Sequence, residues 1–434
     1  MIFSQAENLV QGAYRAAVAD ANRFRKQKAA KKLDQYHGFQ ADYIMDALRQ
    51  HFTKPEVFTP CFINLTRKVI NQLAMVYVQD ARRTIDGTEQ DVAIFAEIER
   101  SCSLGARMKL ANRYAKLLGM VAVRPVWRNN ALDLDVVTPD LLDVQTGDSP
   151  EEIQAILVTY YPEDGKETEV TYSLWTPETF QRLDYRGLVL EESSNPYKII
   201  PYIYVWNSLP TITFWTPSGE DLMALQDAFN EKLTDLLYVL RMQGFGVGYV
   251  KGMKGEIGQV DPGTFFNLPT DGEMGFAKTN APVQDTLAAL DFILKQAAVS
   301  NGLPAGSLQA DVSDQSGVAV IAGNRELEEM RADDLELYRR YEARLFDLIR
   351  ITWNAHNPGR KISDSATLQV DFYDVQPSLS QDKQVQVWDA LVALGVMSKV
   401  DVLQKLNPDL SKDDAMARLI EIADENKAAT AQQI

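Results

Sequence analysis

The stretch "GFGVGYVKG", Gly244 to Gly252, comes closest to a chemical motif in this chain. Glycine-rich loops hold phosphate when a strand leads in and a helix leads out, because the helix N-terminus then faces the anion. Here helical sequence enters and strand-like sequence leaves, so the glycines read as a tight reversal of the chain. His37, His51 and His356 share no motif spacing, and no GxSxG elbow marks a nucleophile. Cys61 and Cys102 form neither a CxxC nor a Cys/His cluster, so a zinc site and a disulfide framework are not indicated. A reducing compartment fits such usage. Glu326, Glu328, Glu329, Asp333, Asp334 and Glu336 crowd one stretch. They read as a hydrated face near a helix start, where acids are favoured, with Glu336 placed to pair with Arg340. Arg23, Arg25, Lys26, Lys28, Lys31 and Lys32 form a basic cluster, expected to be a solvated face, with a phosphate or partner contact as the alternative. The expectation is a chain with no catalytic residue, no metal site and no cofactor.

The chain as a whole bounds the rest. At 434 residues it can bury a large core and divide into two or more lobes. A net charge of −16 argues against coating nucleic acid by bulk attraction, which needs a basic surface. It leaves room for an acidic surface that meets DNA without gripping it. The N-terminus lacks a basic head followed by an apolar run, and no apolar run reaches the ~18 residues of a membrane helix. A soluble protein made in a cytoplasm is expected, with no membrane partner.

The elements come in a definite order. Helical patterns cover Gln5 to Lys32 and Tyr43 to Ala81, the latter split near Pro55 and Pro60. "ARMKLANRYAKLLGMVAVRPVW" is a helix running into a strand, with Gly119 as the stop. A strand is expected from Ala155, then others in "EVTYSLWTP", "TFQRLDYR" and "IPYIYVWNS". From Gly219, Leu222, Leu225, Phe229, Leu233, Leu236, Leu237 and Leu240 mark one apolar face of a long helix. A glycine-rich module follows, with β-like pieces at Gly248–Lys251, Thr264–Leu268 and Met274–Lys278, then a second helix, "VQDTLAALDFILKQAAV". A soft loop runs past Asn301-Gly302. Gly317 to about Ala355 then reads as one helix of ~55–60 Å, its apolar face marked by Leu327, Met330, Leu337, Tyr341, Leu345 and Leu348. The strand "ATLQVDFYDV" and three short helices finish the chain. Ser398 and Ser411 are expected N-caps, answered by Asp401 and Asp414.

This order resembles that of portal proteins of tailed bacteriophages. The pieces that carry it are "RYAKLLGMVAVRPVW", "VVTPDLLDV", "IPYIYVWNS", the helix–β–helix of 219–300, "NGLPAGSLQADVSDQSGVAV", the long helix and "LGVMSKVDVLQKLNPDLSKDDAMARL". The resemblance implies an α+β subunit. Residues 1–218 and 317–376 correspond to an α/β wing, the latter with the long strut helix. Residues 219–242 and 283–302 correspond to two stem helices, 243–282 to a small β-containing clip, 303–316 to a tunnel loop and 377–434 to a helical crown. It implies a homo-oligomeric ring, usually of twelve subunits, at a capsid vertex. Double-stranded DNA passes through without sequence preference, and the terminase large subunit, then a head–tail adaptor, dock on it. Major capsid and scaffolding proteins are the other implied partners, and the location is the virion, after assembly in a bacterial cytoplasm. The implied channel residues are Leu303, Ser307, Leu308, Asp311, Val312, Asp314 and Ser316. Asp311 and Asp314 would repel phosphate, which suits a conduit that must not hold its cargo. The implied docking residues are Lys251, Lys254, Phe265, Phe266, Met274, Phe276 and Lys278. Competing readings are another ring-forming virion component, such as an adaptor or tail protein, and a soluble enzyme without a recognisable motif.

Overall fold

The computed structural model describes residues 14, 19–245, 247–251, 272–277, 283–308, 325–373 and 388–431, the last without 391, 394, 396, 408 and 409. Two compact units divide the chain: 1–315 with 322–373, and 316–321 with 374–434. The architecture is α+β. In order, the elements of the first unit begin with α1 (Asp20–His37), α2 (Ala41–His51), α3 (Leu65–Leu73), β1 (Arg82–Asp86), α4 (Glu89–Ser101) and α5 (Leu104–Leu118). Strands β2 (Met120–Arg128), β3 (Ala131–Val137), β4 (Leu142–Thr146), β5 (Ile153–Tyr160), β6 (Thr171–Trp175), β7 (Thr179–Leu183), β8 (Val189–Ser194) and β9 (Ile203–Trp206) follow. Then come α6 (Glu220–Phe245), β10 (Val247–Lys251), β11 (Glu273–Ala277), α7 (Val283–Val299), α8 (Arg325–His356) and β12 (Thr367–Asp371). The second unit holds α9 (Lys399–Leu406) and α10 (Lys412–Ala431).

The core of the first unit is built around β2. It is the middle strand of an antiparallel sheet ordered β3-β2-β9, and both α5 and α8 pack on that sheet. Met120, Val121, Ala122 and Val123 are fully buried in succession, as a strand covered on both faces requires. β2 and β3 form a hairpin whose two turn residues, Asn129 and Asn130, both have positive φ. Asparagine tolerates this conformation, and two such residues match the right-handed twist of the strands. A second sheet is a five-stranded meander, β4 to β8 in sequence order. One face carries Ile156 and Val158 into the main core, and the other forms a small cluster of Ala155, Leu157, Leu174 and Leu183. β1 pairs with β12, joining chain segments far apart in sequence.

Gly119 sits where three paths cross. It ends α5 with φ +90°, and a Cβ built there would lie 1.9 Å from the carbonyl oxygen of Thr216. The Gly119 carbonyl accepts from the Thr216 hydroxyl at 2.8 Å and from the Asn207 N–H at 2.8 Å. Only glycine offers both the backbone angle and the space.

In the second unit Ser398 accepts from the Asp401 N–H and Asp401 answers the Ser398 N–H, a full capping box. Ser411 accepts from the Asp414 N–H at 3.2 Å. Both expected N-caps are therefore in place.

Candidate functional site

The candidate site is the helix pair α6–α7 with its hairpin, together with the devices that hold it. Leu65, Phe229, Leu236 and Leu290 form a buried cluster, lined further by Leu233, Val283, Ile293 and Leu294. Between the two helices β10 and β11 pair antiparallel, from Val247 opposite Ala277 to Lys251 opposite Glu273. Of the glycines of "GFGVGYVKG", Gly244 lies in α6 and Gly248 in β10, so a helix leads in and a strand leads out, the reverse of a phosphate loop; Gly246 and Gly252 lie outside the described residues. The pair leaves large apolar side chains uncovered: Leu237, Leu240, Leu287, Phe292 and Val299 are all exposed, among charged and polar residues such as Lys232 and Lys295. Two of the leucines expected on the packing face, Leu237 and Leu240, are among them. The helix carries a wider apolar stripe than one neighbouring helix can cover.

Two polar devices seat α6 on the rest of the unit. Gln226, Asn230 and Thr234, four residues apart, are all buried. The Gln226 side-chain carbonyl accepts from the N–H groups of Leu65 and Thr66 at 2.8 and 3.0 Å, and its amide donates to the Ile63 carbonyl at 2.9 Å. Thr234 accepts from the Cys61 N–H at 3.1 Å and donates back to its carbonyl. This ladder satisfies the backbone of an extended segment that has no strand partner of its own. Sequence reasoning followed only the leucines. The signal it passed over was three amide or hydroxyl residues repeating every fourth position inside the apolar stripe.

The second device is the basic cluster, and it corrects the expectation of a solvated face. Lys28 and Lys32 both reach Glu220, at 3.1 and 2.7 Å, and Lys31 reaches Asp227 at 2.6 Å. Arg25 pairs with Asp143 at 2.8 Å and lies over the Trp215 ring at 3.6 Å, while Lys26 also pairs with Asp143. Five of the six cations are spent inside the unit, tying α1 to the start of α6 and to β4. The expectation failed because charges on one helix were read without the acids that the fold brings to them.

The long helix α8 is anchored by buried ions. Glu342 accepts from the Tyr77 hydroxyl at 2.7 Å and from Arg83 at 2.8 and 3.0 Å. Burial alone would lower the Arg83 pKa, but the hydrogen bonds and charge of Glu342 raise it. Asp334 pairs with Lys116 at 2.8 Å, and burial pushes its pKa up. So the acidic run is not uniformly hydrated: Asp334 is buried. Arg340 pairs with Glu151 at 3.1 Å and not with Glu336. Tyr341 and Leu345 are buried as expected, and Leu337 is half-buried. The helix spans about 48 Å as described, from Arg325; residues 317–324 lie outside the described residues.

The expected channel residues divide. α7 ends in a Schellman turn: Gly302 has φ +70°, its N–H bonds to the Val299 carbonyl, and the Leu303 N–H reaches back to Ala298. The turn carries Leu303 into the main core, where Leu308 is buried as well. Neither side chain is on a free surface of the subunit. Ser307 is half-buried and its hydroxyl has no hydrogen-bond partner among the described residues. Asp311, Val312, Asp314 and Ser316 lie outside the described residues. Of the docking residues, Lys251 is exposed on β10, and Met274 and Phe276 belong to β11. Lys254, Phe265, Phe266 and Lys278 lie outside the described residues, as does the β-like piece at 264–268.

Among the described residues, groups able to do chemistry do not converge. His37 meets the Tyr114 hydroxyl at 3.0 Å, and His356 stacks on Trp127 and meets the Tyr197 hydroxyl at 3.0 Å. Burial raises the Cys102 thiol to about 11, far from a thiolate at neutral pH. Among the described residues no cluster of His, Cys, Asp or Glu is arranged to hold a metal, and no helix is long and apolar enough to cross a membrane.

The phage portal protein family, SPP1 Gp6-like, matches residues 103–431. The chain belongs to that family. The portal family is a structural component of virions and not a class of enzyme. No curated protein matches the chain. Solved structures similar to this portal chain include one in the virion of a native gene transfer agent particle, at 14% identity over 79% of this chain and 89% of that one, with a TM-score of 0.41. Another is in the neck of the native particle computed with C12 symmetry, at 14% identity over 79% and 89%, TM-score 0.43. A third is in the neck of the empty particle computed with C6 symmetry, at 14% identity over 82% and 92%, TM-score 0.43.

Proposed function

We propose that this portal chain assembles into a ring of twelve at one vertex of a capsid, and that double-stranded DNA is packaged and later ejected through it. Family membership across 103–431 carries the reading. The helix pair, with its exposed large apolar side chains and the strand pair β10–β11 between its helices in sequence, supports it, since such side chains suit cover by a neighbouring subunit. In this reading 219–242 and 283–302 are the stem, 243–282 the clip, 303–316 the tunnel loop, 377–434 the crown, and 1–218 and 317–376 the wing. The clip receives the terminase large subunit first and a head–tail adaptor later. Lys251 is its one docking residue described with an exposed side chain. Major capsid and scaffolding proteins contact the ring from outside, during assembly in a bacterial cytoplasm.

Leu303 and Leu308 are buried in the subunit, and in this reading the channel function falls to the rest of the loop, where Asp311 and Asp314 keep phosphate from sticking. The decisive experiment is mass by light scattering of the purified protein. The expected value is near twelve times the 48.7 kDa subunit; a monomer or dimer at micromolar concentration sinks the reading. Replacing Asp311 and Asp314 with lysine is expected to leave the ring intact and to slow DNA passage, most at low salt. An unchanged packaging rate would place those aspartates away from the DNA.

A further inference from the structure

The first unit contains a cavity that the portal reading does not use. It has a volume of about 510 Å³ and lies between β2 of the three-stranded sheet and strands β5, β6 and β7 of the meander. That size is ordinary for a binding site that takes a side chain or a short peptide. Three arginines line it, and no carboxylate does.

The three are not equivalent. Arg124 donates to Asp135 at 3.1 Å, to the Tyr202 hydroxyl at 2.8 Å and to the Tyr160 hydroxyl at 3.3 Å. Arg128 pairs with Asp133 and Asp135 at 3.1 and 3.0 Å. Arg182, exposed on β7, has no hydrogen bond or ion pair among the described residues. Glu191 stands opposite it in the β7–β8 register, yet the two do not pair. A free guanidinium beside an aromatic wall stands out in a chain with a net charge of −16. Trp127, Trp175, Phe180 and Tyr197 supply that wall.

We propose that this cavity is a docking site for an acidic peptide segment of a partner protein, with one aromatic or aliphatic side chain entering between the rings and a neighbouring carboxylate held by Arg182. A planar guanidinium holds a carboxylate through two parallel hydrogen bonds. A small anion would satisfy Arg182 and leave the rings bare. A nucleic-acid strand would bring several phosphates to one free cation, with Asp133, Asp135 and Glu191 close by. The inference stands apart from the ring and channel, because every lining residue belongs to the first unit and none to 303–316 or the helix pair.

Fluorescence anisotropy on the full-length protein tests it. The probe is a labelled peptide with one glutamate beside one phenylalanine among neutral residues. Comparison ligands are the same peptide with lysine for the glutamate, a single-stranded oligonucleotide and inorganic phosphate. Saturable binding of the acidic peptide alone is expected, with quenching of Trp127 and Trp175. Arg182→Glu is expected to weaken it by about tenfold or more, and Arg182→Lys to retain part of it as a point charge. Arg182→Lys should unfold at the wild-type temperature, since the side chain is exposed, while Arg182→Glu faces Glu191 across the strand pair and should lose a little stability yet stay folded. No peptide binding, equal binding by Arg182→Glu, or binding of the oligonucleotide or phosphate in place of the peptide would overturn the proposal.

Discussion

The long helix α8 and the helix pair α6–α7 solve opposite problems. Helix α8 buries charge: Asp334 and Glu342 lie eight residues apart on its inner face, each answered by one cation of the same unit. A slide of the helix by one turn would strand both acids against apolar neighbours. The ion pairs thus fix the position of α8 along its axis, whatever they add to stability. The helix pair does the reverse. It keeps leucines inside and leaves Leu237, Leu240, Leu287 and Phe292 outside. At Asp334 and Glu342 the chain has already supplied the partner; where large apolar side chains stand in water, its packing is unfinished.

The sharpest way to break this contrast is Glu342→Ala. It takes the carboxylate from Arg83 Nε and Nη2 and from the Tyr77 hydroxyl, leaving Arg83 held only through Nη1 by Glu99 and Asp80, and should destabilise the subunit by about 3–5 kcal/mol in denaturant unfolding. A loss below about 1 kcal/mol would mean that Glu99, Asp80 and water suffice for Arg83. Leu345→Ala removes a fully buried core side chain of the same helix, for about 2–5 kcal/mol depending on how the gap relaxes. Wild-type unfolding would show that this face is not a packing face.

Asp91 gives a smaller effect with a sign. Burial would raise its pKa, but hydrogen bonds from Ser363 and Thr88 hold it at about 2, against an ordinary 3.8. A depressed acid contributes stability that is complete above its ordinary range and is lost as pH falls toward 2. The contribution is about 2 kcal/mol at neutral pH. Asp91→Asn should lose it there and flatten the acid limb of the stability curve. An acid limb identical to wild type would remove Asp91 from the account. Smallest of all in unfolding is Phe292→Ser, expected within about 0.5 kcal/mol of wild type because the ring is already in water. Its effect should appear in light scattering, as loss of assembly. An intact ring would show that this part of the outer face stays free.

Much of this contrast was legible in the residues. The apolar repeats of α6 and α8, the stop at Gly119, the turn at Asn301-Gly302 and the caps at Ser398 and Ser411 are local signals, and local signals survive without a fold. Strands β1 and β8 were not read at all. β1, Arg82–Asp86, exists because β12 lies beside it, a partner nearly three hundred residues away. β8, Val189–Ser194, is exposed throughout and shows no alternation to announce it. The seats of Lys28, Lys31 and Lys32 were invisible for the same reason, since Glu220 and Asp227 become their neighbours only in three dimensions. Leu303 and Leu308 misled because small, polar surroundings suggest a surface loop, while the Schellman turn sends the chain inward.

Gly119 has a consequence for how this gene can vary. A carbon atom added there meets a carbonyl oxygen at 1.9 Å, in a backbone conformation that side-chain-bearing residues avoid. Two independent obstacles make compensation by one second change unworkable. A saturation library at that codon should return a single letter among the folded clones. The codons for the exposed strand β8 should accept nearly the whole alphabet. The two positions therefore bracket the range of substitution rates along the chain: one fixed by geometry alone, the other drifting with little restraint from the fold.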